Sequence, residues 1–167
     1  MISAPAIQAL AKKAASGLAT GPYWQPAFDE GTVHLTELVY LLPDCTDAYY
    51  IVGFQVGNRP TGRLTIDAST GKVGEITGVD NPQRSLPMFM LRTDLSSRLS
   101  DRTITLATAA QPFDQTKAAL DQHMVWKSCD QSRTKFLPFY IVRDGHREVY
   151  VRADGIVFSE LTNQGAG

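Results

Sequence analysis

Tyr49-Tyr50-Ile51-Val52, then Arg63-Leu64-Thr65-Ile66-Asp67-Ala68, then Gly71-Lys72-Val73 form one series in this chain. Phe139-Tyr140-Ile141-Val142, Asp144-Gly145, Glu148-Val149-Tyr150-Val151-Arg152-Ala153 and Gly155-Ile156-Val157 form a second. Each reads as strand, turn, strand, turn, strand, because β-branched and aromatic residues alternate and Gly, Asp or Asn punctuates them. Working outward, helical spacing precedes each series, at about residues 3–18 and 113–123. The reading that follows is an α+β fold of two related helix-plus-antiparallel-β-meander units packed together. Residues 1–83 form the first unit, 84–110 a bridging segment, 111–162 the second unit and 163–167 a flexible tail.

The first helix is expected to start at Ser3 as cap with Pro5 in its first turn. Ile7, Leu10, Ala11, Ala14 and Leu18 make its apolar stripe, and Gly17 with Thr20-Gly21-Pro22 ends it. A loop over residues 22–31 and a strand over 32–42 follow. Gly53 inside the next strand marks a bulge or a close backbone approach. Asp67 and Asp154 at turn entries are expected to hydrogen-bond the local backbone. Residues 88–91 are apolar enough for a strand, 95–99 fit a helical turn or two, and 102–109 alternate as a strand would. Phe113, Lys117, Leu120 and Met124 stand at helical spacing, so a helix is expected over 111–123. In the closing hairpin Val149 and Val151 should face the core, with Glu148, Tyr150 and Arg152 on the other side.

At 167 residues, 43% hydrophobic and 20% charged, the composition is that of an ordinary globular chain. A formal net charge of −1 argues against a general nucleic-acid or anionic-membrane surface. No apolar run is long enough for a membrane helix, and no basic-then-apolar leader opens the chain, so a cytoplasmic location is expected unless an export segment has been removed. Cys45 and Cys129 fit no metal or redox motif; a disulfide between them is geometrically possible, and two free thiols is the preferred reading.

The opening Met1-Ile2-Ser3-Ala4-Pro5-Ala6-Ile7-Gln8-Ala9-Leu10-Ala11 resembles the first helix of PepSY-type domains. Residues 62–73, with Asp67-Ala68 and Thr70-Gly71-Lys72-Val73, resemble the hairpin that follows in that family. The resemblance is strongest over residues 2–77; residues 113–162 share it more loosely, Arg152-Ala153-Asp154-Gly155 replacing the longer turn. It implies a small helix-plus-antiparallel-sheet module with propeptide-like, protease-inhibitor-like or other non-catalytic binding roles. Many members are exported, and the lack of an export signal sets this chain apart from them. Some toxin-immunity proteins show a similar opening helix and closing Asp/Gly turn, which makes immunity a further reading.

Catalytic signatures are weak. Cys129 has His123 and His146 nearby in sequence, but no flank that places either as its base. No metal-ligand spacing, phosphate loop, dinucleotide fingerprint or nucleophile elbow is present, so no cofactor or metal is expected. Trp126, Tyr140, Arg143, Arg147, Tyr150 and Arg152 instead gather on or near the second hairpin, and Trp, Tyr and Arg are the residues that most often anchor interfaces. A sheet edge near Pro138 or at residues 156–161 would accept an extended peptide as an added strand. The expected function is therefore non-catalytic recognition of a peptide, a precursor peptide or a protein partner. The alternatives are a small enzyme with its site between the repeats, and a toxin-immunity or protease-inhibitor protein.

Overall fold

The structure is a computed structural model that describes residues 1–107, 113–145 and 147–163. It has an α+β fold and divides into two compact units, Met1–Met88 and Phe89–Gly167.

In the first unit, α1 (Ala4–Ala19) starts after Ser3, which occupies the cap position but makes no side-chain capping bond. Ile7, Ala11 and Ala15 recur every four residues, so one face of α1 is buried. The stretch read as a loop contains a one-turn helix, α2 (Gln25–Phe28). Four strands then follow, β1 (Thr32–Leu41), β2 (Ala48–Val56), β3 (Arg59–Asp67) and β4 (Val73–Gly78). Each pairs antiparallel with the next, which gives the order β4-β3-β2-β1. Tyr50, Val52, Phe54, Leu64 and Ile66 project toward the helices and build the core with Ile7, Ala11, Ala27 and Phe28. Burying an aliphatic or aromatic side chain of this kind contributes about 1.5–3 kcal/mol. β2 lies between β1 and β3 and is buried on both faces over most of its length, which explains its near-continuous apolar run.

Gly53 makes the close approach its position suggested. It faces the point where β1 slips register between Val33 and Leu35. A Cβ there would lie 2.9 Å from both His34 Nε2 and Leu35 Cβ. Asp67 also behaves as expected: one of its oxygens accepts the Ser69 and Thr70 amides at 3.0 and 2.7 Å and both hydroxyls at 2.7 and 2.8 Å.

The second unit departs further from expectation. Its helix is α3 (Arg92–Ser100), where the Asp94 carboxylate accepts the Leu91 amide at 3.1 Å. The helix expected over 111–123 is not there. Residues 111 and 112 lie outside the described residues, Gln115–Lys117 form one 3₁₀ turn, and Ala119–Trp126 form a strand, β5. β5 pairs with β6 (Phe139–Arg143), β6 with β7 (Glu148–Arg152), and β7 with β8 (Val157–Phe158), all antiparallel. The register slip between Leu120 and Met124 in β5 is the physical reason for the misreading. It breaks the period-two alternation and leaves apolar residues at a spacing that mimics a helix. No strand forms over the described part of 102–109, residues 108 and 109 lying outside the described residues, and 88–91 also stay irregular. Of the tail read over 163–167, only Asn163 is described.

Alternation in β7 holds as read: Val149 and Val151 are buried, and Glu148, Tyr150 and Arg152 on the other face are half-buried. Both cysteines are free, Cys45 exposed and Cys129 fully buried. No helix among the described residues is long and apolar enough to cross a membrane.

Candidate binding surface

β4 is the outer strand of the first meander, paired only with β3 among the described residues. Which of its backbone groups face outward follows from those that face inward. The Glu75 amide donates to Thr65 Oγ1 at 2.7 Å, and the Val79 amide donates to Thr61 O at 2.9 Å, both toward β3. Successive residues in a strand point their backbone groups to opposite sides. Ile76 and Gly78 therefore direct N–H and C=O away from the sheet, and this is the arrangement an added strand requires.

The second unit offers much less edge. Its outer strand β8 is two residues long. The Arg152 amide donates to Ile156 O at 2.8 Å, so alternation leaves Val157 as the outward-facing residue of β8. Pro138 lies before β6, an inner strand, so it marks a strand start and no edge.

The six residues expected to form one aromatic–arginine surface fall on two faces. The Tyr140 side chain is 1% exposed, and its hydroxyl donates to Met90 O at 2.9 Å, so it belongs to the core. Trp126 alternates with the buried Val125, and its indole N–H lies 2.9 Å from Thr134 O and 3.1 Å from the buried Ser132 hydroxyl. Arg143, Tyr150 and Arg152 share the opposite face, with Phe139 packed edge-on to both Tyr150 and Phe158 at ring separations of 6.2 and 6.1 Å.

The arginines on this face already have partners. Arg143 lies between Asp121 and Glu148, the latter at 3.2 Å; its pKa is raised, first by the hydrogen bond to Asp121. The Tyr150 hydroxyl donates to Glu148, and its pKa is pushed up by burial first and by that carboxylate second. Arg152 grips both oxygens of Asp154 at 2.9 and 2.7 Å, reaches Gln131 O, and stacks over Phe158 at 5.3 Å. That clamp holds the Asp154 carboxyl below its ordinary range and fixes the β7–β8 turn. Arg147 is exposed, with its amide donating to Asp144 at 3.2 Å.

Of the weak catalytic candidates, Cys129 is 0% exposed, and its backbone exchanges two 3.1 Å bonds with Ser132. A nucleophile in that position does not meet a substrate. His123 is exposed on β5, and His146 lies outside the described residues. No group of three or more potential metal ligands occurs among the described residues.

Among the described residues, the first unit carries at least two concavities. One encloses about 380 Å³ beside α2 and the β2–β3 turn and carries Asp29, Glu30 and Arg59. The other, about 410 Å³, lies between Lys12 and Ser16 of α1 and Phe28, Val33 and Phe54. Both are open troughs, without the convergent set of catalytic groups that an active site needs.

Comparison with protein-family models, with curated proteins and with solved structures finds no match to this chain.

Proposed function

We propose that this is a non-catalytic binding protein that takes an extended segment of a peptide or protein partner as an added strand. The observation that carries this reading is the open outer edge of β4, with the Ile76 and Gly78 backbone directed away from β3. Main-chain hydrogen bonds supply the affinity in this mode, and alternate side chains supply selectivity. The fully buried Cys129 and the internally paired arginines of the second unit weigh against both a hydrolase and an arginine-gripping surface.

Both units run from a helix to a four-stranded meander, an order that supports reading them as related PepSY-like modules. On this reading the second module keeps the architecture with a shorter outer strand.

The test is selection from a displayed random-peptide library, followed by backbone N-methylation of the selected peptides one position at a time. Strand addition predicts that methylation at every second residue abolishes binding while the residues between tolerate it. Uniform tolerance, or loss without that period, contradicts the proposal.

A further inference from the structure

We infer that the trough between α1 and the start of β1 binds a small monocarboxylate with an apolar body, its anionic head on Lys12. The inference goes beyond strand addition at β4 and does not depend on it.

Helical phase builds one wall of this trough. Gln8, Lys12 and Ser16 recur every fourth residue, so they share one flank of α1. That flank faces β1, because the Gln8 side-chain amide donates to the Thr36 hydroxyl at 3.0 Å. Lys12 and Ser16, further along the same flank, border the trough. Val33 and the edge-on Phe28–Phe54 pair, 5.3 Å between ring centres, make the rest of the lining largely apolar, and Ala15 adds only a methyl group. The space is about 410 Å³, within the range of about 300–1,000 Å³ that small-molecule sites occupy.

The polar groups of the lining select the head. Ser16 donates its hydroxyl to Lys12 O at 3.0 Å, and Thr32 donates its hydroxyl to Gln55 O at 3.3 Å, so neither proton is offered to the trough. Lys12 is therefore the only side-chain donor among the lining residues, and none of them is a carboxylate. Among the described residues no ion pair engages Lys12. Asp29 and Glu30 precede Gly31 in sequence but line the other trough, where Gln25 holds Asp29 at 3.4 Å. An apolar site with one cation at its rim complements an apolar body that carries one negative charge. A cationic head would be repelled by Lys12, and a second negative charge would find no second cation in the lining.

The probe is sodium octanoate, with octylammonium and 1-octanol carrying the same chain under a positive and a neutral head. Acetyl-Gly-Gly-Leu presents the same carboxylate at a peptide end. Each is titrated into the intact isotope-labelled chain, and amide shifts are read at Gly31, Val33 and Phe54.

The expected result is saturable shifts at those amides with octanoate, a dissociation constant of about 1 mM or tighter, and about tenfold weaker binding of octylammonium. Lys12→Met keeps the length and removes the charge. It should weaken octanoate about threefold to tenfold and leave 1-octanol unchanged. Ser16→Trp, at an exposed position, should fill the trough and abolish binding of both. Circular dichroism checks that each variant is folded, and Lys12→Met decides the question if Ser16→Trp is not. Octanoate that gives no saturable shift, or shifts spread beyond the trough, overturns the inference. So does equal binding of the three octyl probes, or octanoate affinity indifferent to Lys12→Met. Tighter binding of acetyl-Gly-Gly-Leu than of octanoate at the same amides overturns the assignment to a free small molecule. Strand addition is read at Ile76 and Gly78 instead, so the two proposals fail separately.

Discussion

The Glu75 amide donates to the Thr65 hydroxyl at 2.7 Å, standing in for a ladder bond where β3 and β4 slip register between Leu64 and Ile66. Thr65 is 2% exposed, so this bond is made out of water. It fixes which backbone groups of β4 face inward, and so which face outward.

Thr65→Val keeps the shape and removes the acceptor. An orphaned amide of this kind costs about 1–3 kcal/mol. The variant should show a lower urea midpoint with unchanged slope, and faster exchange at Glu75 and Thr77. An unchanged midpoint would mean that the hydroxyl does not anchor β4.

Gly62→Ala tests how tightly α2 is seated on the sheet. The new Cβ would come 2.5–3.0 Å from the Phe28 ring, which is buried and packed edge-on to Phe54 at 5.3 Å. Phe28 has little room to move, so a loss of about 1–3 kcal/mol is expected on thermal or urea unfolding.

Tyr140→Phe and Arg147→Glu should behave in opposite ways. Tyr140 lies in the core with its hydroxyl on Met90 O, and losing that bond should cost about 1–2 kcal/mol. Arg147 is exposed, and its substitution should change stability by no more than about 0.5 kcal/mol. Neither should alter affinity for a strand-adding peptide. A Tyr140→Phe variant that keeps its stability but loses the partner would return the binding surface to the second hairpin.

Asp67 gives a pH-dependent signature. The Thr70 amide first, then the Ser69 and Thr70 hydroxyls, hold its carboxyl well below the ordinary range. A depressed folded pKa means stability that is present above the unfolded carboxylate range, near pH 4, and lost as pH falls below it. Because the group is at the surface, solvent screening limits the effect to about 1 kcal/mol. Asp67→Ala should therefore lower the melting temperature at pH 7, and the gap from the parent should narrow as pH falls below about 4.

How far the sequence could be read depended on whether period and parity were intact. Ile7, Ala11 and Ala15 keep strict helical phase, and Val149 and Val151 keep strict alternation, so α1 and β7 lie where their patterns put them. β5 carries a register slip between Leu120 and Met124, and there the same counting of apolar spacings gave a helix. The expected surface failed on parity. Tyr140 and Arg143 are three apart on one strand and point to opposite faces, so they do not share a site.

The β4 edge was legible in part. The last strand of a meander is an outer strand, and residues 72–77 read as a strand from sequence alone. The slip at Thr65, which decides that Ile76 and Gly78 face outward, depends on a side-chain-to-backbone bond that no periodicity displays.

The most direct measurement is amide hydrogen exchange at Ile76 and Gly78, with and without a bound peptide. In the free protein both should exchange fast beside the protected Thr77, and both should slow by about tenfold or more on binding. Slow exchange at Ile76 and Gly78 in the free protein, or no change in either on binding, would contradict strand addition at this edge.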